Sequence, residues 1–91
     1  MKFQISYHYL VSERDVPNLP EIWRGKVRLA IEARLTTHPD LYGKPLRRSI
    51  KGYRKLRVGD YRVIFRIERQ VVKIILIGHR SVVYKEINKR I

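Results

Sequence analysis

At 91 residues the chain has room for one domain, residues 1–91, around one modest core. Apolar residues make up 44% and charged residues 32%, a globular balance that excludes a disordered tail. There is no cysteine, which removes disulfides and thiolate metal sites, and no apolar run near the roughly 18 residues a bilayer crossing needs. The opening MKFQISYHYL lacks the apolar run and small-residue cleavage site of a secretory signal, so cytoplasm is the expected address. The net charge is +13 and is unevenly spread. Residues 1–43 hold six Lys/Arg against five acids, whereas residues 44–91 hold fifteen against three. So much like charge in half a small domain repels itself, which points to an anionic partner such as nucleic acid.

In chain order, Phe3, Ile5 and Tyr7 alternate with Gln4 and Ser6, the period-2 mark of a half-buried strand. YLVSERDVPNLP reads as an irregular connection with room for one helical turn before Pro17. Pro20 and Glu21 suit a helix start, and Trp23, Val27, Ala30, Ile31 and Leu35 recur at spacings of three and four. That predicts a helix from Ile22 to about Thr37, stopped by Pro39. DLYGKPLRRSIKG has no clear period and reads as a loop feeding a sheet. An antiparallel meander follows: Tyr53–Val58, a Gly59-Asp60 turn, Tyr61–Ile67, a turn near Arg69-Gln70, and the more apolar VVKIILIG, expected to be interior. VVYKEINKRI fits a short helix or a final strand. The expected class is α+β, a small twisted antiparallel sheet with N-terminal helices packed on one face.

A two-residue turn at Gly59-Asp60 sets Val58 against Tyr61, Arg57 against Arg62, Leu56 against Val63 and Lys55 against Ile64. Alternation then gives Leu56, Val58, Tyr61, Val63, Phe65 and Ile67 one face, a core face. The other carries Tyr53, Lys55, Arg57, Arg62, Ile64 and Arg66. Arginines directly opposite each other destabilise a sheet by roughly 0.2–1 kcal/mol per pair. A phosphate between them converts that repulsion into charge-assisted hydrogen bonds. The alternative is a solvated face whose arginines splay into water. A second cluster, GHRSVVYKE, sets His79, Arg80 and Tyr84 just after a rigid apolar strand. Together the clusters suggest RNA cleavage by attack of the ribose 2′-OH on the adjacent phosphorus, without a metal. Arginines would stabilise the phosphorane charge, and a lysine, histidine or tyrosine would move the protons. No HExxH, P-loop or compelling carboxylate pair is present, so neither a metal nor another cofactor is called for.

KGYRKLRVGDYRVIFRIE followed by IGHRSVVYKEI, with LTTHPDLYGKPLRRSIKG upstream, strongly resembles the RelE/ParE toxin superfamily of toxin–antitoxin systems, over nearly the whole chain. The resemblance implies a toxin that, in the RelE-like branch, cuts mRNA in the ribosomal A site. By position it implies that Lys55 is a base or charge stabiliser, that Arg57 and Arg62 bind phosphate, and that Arg80 stabilises the transition state or leaving group. Tyr84 matches a tyrosine that stacks on the substrate base and assists catalysis. Adjacent His79 is a candidate for proton transfer, and Arg54, Arg66 and Lys51 are further candidate phosphate ligands. An antitoxin with an acidic toxin-binding segment is the implied partner, no membrane is involved, and a monomeric free chain is among the open options. Pro17 and Pro20 depart from the family by shortening the first helix, which bears on the antitoxin contacts. Two alternatives stay open: ParE-like inhibition of DNA gyrase, and a non-catalytic RNA-binding module using the same face.

Overall fold

The computed structural model of the chain describes residues 2–46 and 52–91; Lys51 lies outside the described residues. Five strands form one sheet: β1 (Gln4–Tyr7), β2 (Lys44–Pro45), β3 (Tyr53–Val58), β4 (Tyr61–Glu68) and β5 (Val71–His79), in the order β1-β5-β4-β3-β2. The meander β3-β4-β5 is antiparallel, with the expected register across Gly59-Asp60 and the second turn at Arg69-Gln70 as expected, and Gly59 and Arg69 supply the positive φ those tight turns need. β5 lies inside the sheet between β1 and β4. The sheet is mixed, because β1 joins β5 in parallel. A parallel neighbour needs a crossover, and the helical region between β1 and the meander supplies it.

That region begins with a π-helical turn, Val11–Asp15, running into α1 (Val16–Asn18), so YLVSERDVPN is more helical than its composition suggests. Pro17 lies within this helical run, one residue before the end of α1. Pro20 caps α2 (Glu21–Ala30) by accepting from the N–H groups of Trp23 and Arg24, and the helix continues through Ile31–Leu35. Pro39, expected only as a helix stop, opens the short α3 (Pro39–Tyr42), which overlaps the start of the stretch read as a loop.

One core joins Val11, Val27, Ile31 and Leu35 of the helices, and Leu19 of the bend before α2, to Leu56, Val63, Phe65, Val72, Ile74 and Ile77 of the sheet. Val58, Tyr61 and Ile67 pack against it partly buried, which is the core face expected from the turn. The opposite face is not left bare. The C-terminal stretch is a helix, α4 (Val83–Arg90), and its Val83 and Ile87 bury on Ile64 and Leu76. Each such burial is worth about 1.5–3 kcal/mol, and an eight-residue helix depends on packing of this kind to form at all. A bulge between Ile64 and Phe65 helps to aim this seat, pairing Ile64 with Leu76 and Phe65 with Ile74. Among the described residues no helix is long and apolar enough to cross a membrane.

Candidate phosphate-binding site

α4 divides the basic face of the sheet into two ends. The first lies by the Gly59-Asp60 turn. Arg57 and Arg62 stand directly opposite each other there. Arg57 is exposed and has no polar partner among the described residues. Arg62 curls back onto the turn, its Nη1 donating to the carbonyls of Gly59 and Tyr61 at 2.9 Å each. The turn also holds Arg80. Its backbone N–H donates to the Asp60 carbonyl at 2.8 Å, and its Nε lies 3.6 Å from Asp60 Oδ1. Both side chains of that ion pair are mostly exposed, so it adds little stability and yields readily to a stronger anion.

The turn itself is braced from the core side. A Cβ built on Gly59 would lie 2.3 Å from the Trp23 ring, and φ there is +59°, so only glycine fits. Trp23 packs against Tyr61 with the rings tilted at 46° and 5.2 Å apart, and Tyr61 meets His79 edge-on at 5.5 Å. His79 Nδ1 accepts from the Ser81 N–H at 3.1 Å and lies 2.8 Å from Ser81 Oγ. With Nδ1 accepting, the neutral ring carries its proton on Nε2. His79 thus shapes the turn that carries Arg80.

From the first turn of α4, Tyr84 brings its ring to 5.3 Å from Lys55 Nζ, a cation–π contact between helix and sheet. Arg62, His79, Arg80, Ser81 and Tyr84 line one open depression. The structure therefore brings Lys55, Arg57, Arg62, His79, Arg80 and Tyr84 to one end of one face.

Two other candidates stand apart. Arg54 is on the reverse side of β3, where Nη1 donates to the carbonyls of Gly43 at 2.9 Å and Asp40 at 3.3 Å. It ties the α3–β2 connection to the sheet. Arg66 lies on the basic face but beyond α4, 2.6 Å from Glu68 Oε2, while Lys73 Nζ takes Glu68 Oε1 at 3.0 Å. The Lys73 hydrogen bond, Lys73's charge and then Arg66 hold the Glu68 carboxyl below the ordinary glutamate value. Sequence reasoning passed over Ser81 and Asp60, which position neighbours through backbone or short side-chain contacts and carry no motif of their own.

A small mixed sheet thus carries an arginine-lined depression at one end of its antiparallel meander. The match to the family described as ParE toxin of type II toxin–antitoxin system, parDE, spans residues 7–84, and the chain belongs to this superfamily of type II toxins. It is 34% identical over 84 residues to Toxin RelE of Mycobacterium tuberculosis, covering 87% of each chain. Toxin RelG of the same organism is 36% identical over 77 residues, 81% of this chain and 87% of that one. The toxin–antitoxin complex RelBE2 of M. tuberculosis holds a chain matching at TM-score 0.80 and 29% identity, over 89% of this chain and 94% of its own. A free-state mutant of E. coli toxin RelE matches at TM-score 0.74 over 100% of this chain and 99% of its own; at 22% identity this is a likeness of fold alone.

Proposed function

We propose that this toxin is an endoribonuclease that cleaves mRNA in the ribosomal A site without a metal. The observation that carries the reading is the convergence of Arg62, Arg80 and Tyr84 on one open depression, with Lys55 against the tyrosine ring. The 2′-oxygen bonds to the adjacent phosphorus and gives up its proton. The bond from phosphorus to the 5′-oxygen breaks, and that oxygen takes a proton. The products are a 2′,3′-cyclic phosphate and a 5′-hydroxyl. Arg62 and Arg80 stabilise the charge of the phosphorane, Arg80 leaving Asp60 for the phosphate. Of Lys55 and Tyr84, one accepts the 2′-hydroxyl proton and the other donates a proton to the leaving 5′-oxygen, and the half-exposed Tyr84 ring offers a surface on which a base stacks. The Nδ1 of His79 is held by its own loop, so a proton-transfer role for this residue would run through Nε2. An antitoxin with an acidic segment that covers these cations is the expected partner, a reading supported by the complex in which the RelBE2 relative was solved.

Primer extension on a translated message, with and without ribosomes, tests this. Ribosome-dependent cuts by the parent that fade in Arg80→Ala and Tyr84→Phe are expected. A second reading is inhibition of DNA gyrase, the activity that the sequence resemblance implies for the ParE-like branch, and the matched family carries the ParE name. A parent that makes no cuts yet blocks gyrase supercoiling would establish that reading instead.

A further inference from the structure

Asp15 is the one buried charged residue in the core of the described chain, and the chemistry above does not use it. It pairs with Arg90 across 75 residues of sequence: Nη1 to Oδ2 at 2.6 Å and Nη2 to Oδ1 at 3.2 Å, a bidentate fork. The side chains are 6% and 8% exposed. Asp15 Oδ2 also accepts from the Ile77 N–H at 2.9 Å, and Arg90 Nη1 donates to the Ile75 carbonyl at 3.2 Å. Four groups on three elements close one network, with no buried side-chain polar atom unsatisfied among the described residues. A buried ion pair is poor value for stability compared with apolar packing, and its best-attested use is to fix register.

The register here is that of α4. Its middle rests on Ile64 and Leu76 through Val83 and Ile87, an apolar seat that allows sliding and rotation. Arg90 grips its last turn, and Tyr84 sits in its first, roughly 9 Å away along the axis at 1.5 Å per residue. We infer that the Asp15–Arg90 fork is a latch that sets the position of α4, and so holds Tyr84 over Lys55; Asp15 and Arg90 are positioning residues acting through Tyr84. This rests on the ribonuclease reading for its catalytic consequence, though not for the latch itself.

The test uses Arg90→Lys, which keeps the charge but loses the fork, and Asp15→Asn, which keeps an acceptor for Ile77. Each is made in the parent and in Tyr84→Phe, with initial cleavage rates and hydrogen exchange of α4 amides measured relative to those of β4. The latch requires at least tenfold slower cleavage in the parent background, less than twofold in Tyr84→Phe, and faster exchange confined to α4. Equal fold-losses in both backgrounds would overturn the action through Tyr84. Unchanged α4 exchange in both variants would overturn the latch. A parent that does not cleave would sink the ribonuclease reading alone, leaving the exchange measurement to decide the latch.

Discussion

The two ends of β4 carry the same kind of residue on the same face, yet differ in what their cations touch. At the far end Arg66 and Lys73 share Glu68, so two positive charges meet one negative charge within 3.0 Å. At the near end Arg57 lacks any described partner, Arg62 is bound only to backbone carbonyls, and Arg80 has a loose ion pair with Asp60 at 3.6 Å. The far end is electrostatically settled, whereas the near end holds cations against one another on a braced turn. Concentrated charge is thus a poor guide to a site, and uncompensated charge held by a rigid support is a better one.

The comparison breaks first at Arg80. Arg80→Ala should slow cleavage by about 100-fold or more, the size expected for losing a donor to transition-state charge. Its unfolding midpoint should stay within about 4 °C of the parent, because the side chain is exposed. Equal loss of fold and activity would mean that the near end is structural. Next comes the seat between the ends. Ile87→Ala should cost about 2–5 kcal/mol in urea unfolding, since the side chain is 1% exposed. A change below about 0.5 kcal/mol, the surface range, would show that α4 is not a structural part of the sheet.

Glu68 sharpens the contrast with a smaller effect. Glu68→Gln releases Arg66 and Lys73, so the logarithmic salt slope of ribosome or RNA binding should steepen by about 1–2. An unchanged slope would place the far end outside the bound surface. The Glu68 carboxyl is held below its ordinary value of 4.5, so the folded state favours its charged form. The stabilisation is therefore whole above pH 4.5 and fades as pH falls through the lower folded value. It should be small because the carboxylate is solvent-exposed; acid unfolding of Glu68→Gln should lose only this slight component.

Much of the near end was legible because one local feature determined it. Gly59-Asp60 fixes a two-residue turn, and from it follow the pairs Arg57–Arg62 and Leu56–Val63. The same alternation that puts Leu56 in the core puts Arg54 on the reverse face, so that signal was present and went unused. Val83 and Ile87, four apart, were the available sign of α4, but eight residues ending in charged side chains fit a strand as readily. Nothing local announces that β1 runs parallel to β5, or that Asp15 meets Arg90, since both are contacts across the fold. Glu68's neutralising role depends likewise on Lys73 reaching back across a turn.

The most direct measurement compares Arg62→Ala with Arg66→Ala, two arginines on one face of one strand. Initial cleavage rates on a ribosome-bound message would be taken beside the unfolding midpoint of each variant. The account expects Arg62→Ala to lose about 100-fold in rate and Arg66→Ala only a few-fold, with similar midpoints. Equal losses in the two variants would mean that the whole basic face acts as one field, and the division of β4 into a working end and a settled end would be contradicted.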